Sequence, residues 1–153
     1  MSTRAIVRVQ GVGPASKQDT WNIYCHHDGQ WNYIGAIVNH IAHLASENDC
    51  NVVGGYGIPN IACETDKFTV YLIQQLGFVG YDSAYLTTRN PENELASEFT
   101  DIEYLYIVSI DGEGVIVVET YRPNIQTRKF EVCNFFQAEL ERGVDRIADL
   151  FPE

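Results

Sequence analysis

The chain has 153 residues, 45% hydrophobic and 20% charged, and its ten Lys and Arg stand against 21 Asp and Glu for a net charge of −11. A chain of this length can bury about 70% of its unfolded surface without disulfide or metal staples, so one globular domain over residues 1–153 is expected. The basic residues are scattered with no block of five or more, which disfavours generic nucleic-acid binding, and no run of about 18 apolar residues offers a membrane span.

The opening "MSTRAIVRVQGVG" sets arginines among β-branched residues and has no apolar block of signal-peptide type. Residence in the cytoplasm is expected. From Arg4 the stretch alternates as a strand should, with Val7 and Val9 on one face, until Gly11, Gly13 and Pro14 break it. "TWNIYC" resumes the alternation, with Trp21, Ile23 and Cys25 on one side and Tyr24 on the other. Two such runs joined by a short polar loop predict an antiparallel pair.

After Asp28 and Gly29 the period changes to that of a helix. Ile34, Ile37, Val38, Ile41 and Leu44 form an apolar stripe, and Asn39, His40, His43 and Glu47 are expected on the opposite, solvent side. "NVVGGYGIPN" reads as a short strand or a glycine-rich loop. Phe68, Tyr71, Leu72 and Leu76 then line one face of a second helix, with Thr65 as its cap and Gly77 as its stop.

"YDSAYLTT" reads as a strand and "RNPENELASEFT" as a surface loop. The β-prone runs of "DIEYLYIVSIDGEGVIVVETY" flank Asp111-Gly112-Glu113-Gly114, a hairpin expected at the centre of the sheet. "TRKFEV" adds a strand. Asn134 caps a closing helix whose Phe136, Leu140, Val144, Ile147 and Phe151 face inward. The order predicts an α+β fold, a single antiparallel β-sheet with two to three helices packed on one face.

Three short motifs, "MSTRA", "IYCHHDG" and "DIEYLYIV", resemble those of a family of uncharacterised small proteins of phages, prophages and plasmids. The family pattern opens M-S-T-R, continues Y-x-H-x-D-G-Y-P and ends in an acidic E-Y-x-Y strand. The matching residues here are Arg4, Tyr24, His26, Asp28, Gly29, Glu103, Tyr104 and Tyr106. Gln30 and Trp31 replace the Tyr-Pro of the pattern, and Cys25 stands where such proteins also carry arginine. The resemblance brings no activity with it. It implies origin in a mobile element and expression in a bacterial cytoplasm.

Several chemistries compete for these residues. A nucleophilic Cys25 would need an imidazole in reach, but neighbours on a strand point to opposite faces, so adjacent His26 is badly placed. Cys25, Cys50, Cys63 and Cys133 stand far apart without a C-x-x-C pair and read as free thiols. His40 and His43, with Glu47 one turn on, have the spacing of a weak metal site. No phosphate-cradling glycine motif is present, and no cofactor is expected.

The remaining candidate is a network of Arg4, His26, Asp28 and Glu103 where a strand turns into a helix, structural in role or the floor of a ligand pocket that Tyr24 and Tyr106 would complete. The leading expectation is a non-enzymatic accessory protein that binds and blocks a host factor. Its partner would be a basic host protein or a small nucleotide, with Trp21, Trp31, Tyr33 or Tyr56 available to stack on a base. A nucleotide hydrolase using His26, His27, Asp28, His40 and His43, and a homo-oligomeric structural protein, are the alternatives.

Overall fold

Val, Ile and Tyr at alternate positions build the main strands, because branched and aromatic side chains fit a pleated, half-buried surface. The computed structural model describes residues 4–13, 18–26, 34–47, 52–53, 56–57, 65–78, 84–96, 100–111 and 116–133. The main strands are β1 (Arg4–Gly11), β2 (Thr20–Cys25), β5 (Ala84–Leu86), β6 (Ile102–Ile110), β7 (Ile116–Asn124) and β8 (Lys129–Val132), while β3 (Val52–Val53) and β4 (Tyr56–Gly57) form a separate two-stranded pair. The helices are α1 (Ala36–Glu47), α2 (Thr65–Phe78) and α3 (Pro91–Ala96). The closing helix expected from Asn134 lies outside the described residues.

The six strands run in the order β5-β2-β1-β6-β7-β8. The predicted β1–β2 and β6–β7 pairs are present and antiparallel, and β8, expected only as a further strand, pairs antiparallel with β7. The sheet is nevertheless mixed, since β1 and β6 run parallel at its centre. Parallel neighbours need a long crossover, and here the chain passes through α1 and α2 before β6 returns beside β1. Nothing in the alternation of either strand encodes the direction of its neighbour, so an all-antiparallel sheet was the simpler expectation.

One sheet face carries the larger core. Val7, Val9, Ile23, Cys25, Tyr104, Tyr106 and Val108 from the strands share a buried cluster with Ile37, Val38 and Ile41 of α1 and Phe68, Leu72 and Leu76 of α2. The opposite face holds a smaller cluster of Ile6, Tyr24, Ile102 and Leu105, flanked by Ile107, Tyr121 and Phe130. A bulge allows β6 to serve both. Arg4 pairs with Ile102 but Ala5 with Tyr104, so Glu103 is an extra residue, and the side-chain alternation inverts across it. Ile102 therefore joins the smaller cluster, while Tyr104 turns to the larger one beside Tyr106.

α2 begins as expected at Thr65, but runs through Gly77 to Phe78. The Thr65 hydroxyl donates to Asp19 Oδ1, a bond that ties the start of the helix to the β1–β2 connection. The larger departure is α3, where a surface loop was expected. Asn90 caps it, its side chain accepting from Asn93 N–H at 2.8 Å and its carbonyl from Glu94 N–H at 3.0 Å. Pro91 occupies the first turn, where a missing N–H costs nothing. Glu92 of α3 is bidentate to Arg8 at 2.8 and 2.9 Å, and Arg8 alternates with Val7 and Val9 onto the face opposite α1 and α2. Among the described residues, no helix is long and apolar enough to cross a membrane.

Candidate functional site: an arginine and tyrosine corner

The polar residues of the smaller face converge at one corner. Arg4 opens β1, Tyr24 lies near the end of β2, His26 follows it, and Tyr85 lies beside Tyr24 on the short edge strand β5. Arg89 precedes α3, and Thr100 and Asp101 precede β6. Elements distant in sequence meet here because β1 and β6 start side by side and β2 ends where β1 begins.

Arg89 is the hub. Its Nε donates to Glu94 Oε1 at 2.6 Å, and its Nη2 donates to Glu94 Oε2 at 2.8 Å and to Asp101 Oδ1 at 2.7 Å. A planar guanidinium matched to a carboxylate in this way gains both strength and direction. The same guanidinium sits 4.6 Å from the centre of the Tyr24 ring, within range of a cation–π attraction. Thr100 Oγ1 donates to Glu94 Oε2 at 3.0 Å. Arg89 holds the Glu94 carboxyl below the usual carboxylate range, and the Glu94 hydrogen bonds are the main reason the arginine is held still more firmly charged.

Asp101 also faces Arg4, with Oδ2 3.4 Å from Nε. Arg4 Nε approaches His26 Nδ1 at 3.5 Å, and the Tyr24 hydroxyl lies 3.1 Å from the same nitrogen. An arginine N–H can only donate, so the tautomer with its proton on Nε2 suits this contact. The Tyr24 and Tyr85 rings lie 5.4 Å apart in a tilted arrangement. Burial, followed by the Asp101 charge, raises the Tyr24 phenol pKa, so it remains a protonated donor. Tyr85 is about half exposed, so the corner ends in an open aromatic surface.

Of the six residues expected to bind a ligand, the structure brings together Arg4, Tyr24 and His26. Asp28 lies outside the described residues. Glu103 stands exposed in the bulge, and its expected place beside Arg4 is taken by Asp101. Tyr106 is 0% exposed in the core of the opposite face. The bulge explains both departures, because it displaces the acidic residue and turns the tyrosines of the E-Y-x-Y motif inward.

The helix candidates also move. His40 was expected to face solvent, but it is only 7% exposed. Positions 36–38 and 40–42 of α1 are all buried, so the covered stripe is wider than five apolar residues suggest. Asn39, on the edge of that stripe, donates to the Gly35 carbonyl at 2.7 Å. The side chains of His43 and Glu47 lie outside those described. No group of three His, Cys, Asp or Glu able to hold a metal occurs among the described residues. Cys25 is a core residue, and burial pushes its thiol up to about 12, far from a thiolate nucleophile at neutral pH.

Sequence reading missed Arg89, Glu94 and Asp101. The only local signal was Asn90-Pro91-Glu92, a cap, a first-turn proline and an acidic first turn, hidden in a stretch too polar to show a period. No family model, curated protein or solved structure matches the chain.

Proposed function

We propose that this is a non-enzymatic accessory protein of phage type, which acts in the bacterial cytoplasm by binding and blocking a host factor such as a component of a defence system. The observation that carries the reading is the net charge of −11 on 153 residues. A field of that sign draws basic partners in quickly and repels nucleic acid, and host proteins that handle nucleic acid are basic. The polar corner supports recognition over turnover, because Arg89 is tied to two carboxylates and the Cys25 thiol is buried. The motif resemblance supplies the expected origin.

One observation favours a second reading, in which the blocked factor is a small nucleotide signal. Tyr85 exposes a ring beside Tyr24, on which a base can stack, and Arg4 lies across the same corner as a partner for phosphate.

Native mass spectrometry of the full chain purified without chelator, followed by pull-down from bacterial lysate, tests the proposal. The expected result is a clean polypeptide mass and a basic host protein retained at low salt. That partner is released at about 1 M salt, where the Debye length shrinks to about 3 Å. A co-purifying nucleotide mass would transfer the reading to the Arg4–Tyr85 corner. Turnover of a nucleotide, lost in His26→Ala, would replace it with a hydrolase.

A further inference from the structure

Among the described residues β8 closes one end of the sheet and has β7 as its one neighbour. Antiparallel ladders alternate hydrogen-bonded and non-bonded residue pairs. Cys133 N–H donates to the Thr120 carbonyl at 2.8 Å, one step beyond the Tyr121–Val132 pair. That bond sets the phase: Lys129, Glu131 and Cys133 turn their backbone groups toward β7, and Phe130 and Val132 turn theirs to the open edge. Among the described residues no strand pairs with that edge. An unpaired edge is a template for another strand.

The side chains sort by face in the same way. Lys129 and Glu131 are both exposed on one side. Phe130 and Val132 lie on the other, where Phe130 flanks the smaller core cluster and Val132 is 57% exposed. Proteins protect edges with charge, Lys above all, and like charges placed opposite each other destabilise a pairing of strands. This edge instead carries one charge of each sign, two residues apart.

We infer that β8 pairs with β8 of a second copy of this chain, antiparallel about a two-fold axis at Phe130, which joins the two sheets into one. With Phe130 opposite Phe130, Lys129 of each copy faces Glu131 of the other, twice by symmetry. The outward N–H and C=O of the two Phe130 residues form reciprocal bonds, the rings meet on the apolar face, and Val132 lies diagonally across from Phe130 of the second copy. Shifting the register to place Phe130 opposite Val132 sets Glu131 against Glu131 at the close, non-bonded spacing, an arrangement that a chain of net charge −11 disfavours. Registers between these set outward backbone groups against none. An isologous contact of this kind closes at two copies and does not propagate into a fibre.

Sedimentation velocity over a concentration series on the full chain, with the charge-reversed variants beside it, tests the inference. The wild type is expected to shift from monomer to dimer as concentration rises. Lys129→Glu and, separately, Glu131→Lys each create like-charged pairs and weaken association about tenfold. The double variant Lys129→Glu/Glu131→Lys exchanges the charges, restores complementarity and recovers the dimer. Both side chains are exposed, and circular dichroism verifies that each variant folds. A monomer at every concentration overturns the inference, as does a dimer indifferent to the single reversals, which would place its interface elsewhere. A dimer that the double exchange fails to recover overturns the Phe130-centred register.

Discussion

The corner's properties reduce to a few side chains whose burial and partners can be perturbed singly. Arg89 is about one-third exposed and Glu94 only 13% exposed, so Arg89→Ala strands a largely covered carboxylate. We expect a loss of about 1–2 kcal/mol, discounted for the solvent that reaches the arginine. Arg89→Lys recovers only part of it, because a lysine cannot grip Glu94 with two parallel N–H groups. Denaturant unfolding measures both, and an unchanged midpoint for Arg89→Ala would show that the corner does not hold the fold. The acid limb follows from the same pair. Folding lowers the Glu94 pKa, so its contribution is complete above the ordinary carboxylate range and disappears as pH falls through the depressed value. The thermal midpoint of the wild type should therefore fall on acidification more steeply than that of Glu94→Gln. Cys25, with its thiol pushed up to about 12 and its side chain buried, should alkylate after the partly exposed Cys133 in the native protein, and peptide mass mapping reads that order.

At the scale of elements, two positions show how local sequence and packing divide the work. Gly35 precedes α1, and a Cβ placed there would lie 2.9 Å from Tyr106 Cε1. Tyr106 is fully buried and cannot step aside cheaply. Gly35→Ala should therefore cost about 1–3 kcal/mol, as overpacking does, visible as a lower thermal midpoint. α3 depends instead on its start. Asn90→Ala removes the cap on Asn93 N–H and should cost about 1 kcal/mol; the same measurement checks it, and no change would mean that the Arg8–Glu92 and Arg89–Glu94 pairs hold α3 alone. The strands and the long helices were legible because period and capping are local properties. α3 was not, since six residues show less than two turns of pattern and its ties run to Arg8, far away in the chain. His40 was misread for a related reason, because how much of a helix is covered depends on what packs beside it.

For the whole molecule, charge and topology act at different ranges. The field of −11 governs encounter, and the rate of association with a basic partner should fall steeply with ionic strength while dissociation changes less. Stopped-flow mixing at two salt concentrations separates these rates. A rate that does not respond to salt would count against an electrostatically steered partner. Topology acts at short range, and among the described residues the sheet built around the central parallel pairing of β1 with β6 ends in β5 and β8.

The sequence by itself determined the α+β class, the β1–β2 and β6–β7 hairpins and the two long helices. Each of these rests on periods of two or 3.6 residues, turn chemistry or short spacing, which neighbouring residues enforce. Only the tertiary structure decided that β1 and β6 run parallel, that Glu103 bulges out and turns Tyr106 into the core, and that Asp101 and Arg89 complete the corner. The β1–β6 pairing, its bulge and the Arg4–Asp101 contact join segments about a hundred residues apart. They are set by which arrangement buries both faces of the sheet while pairing its charges, a condition that no local window contains.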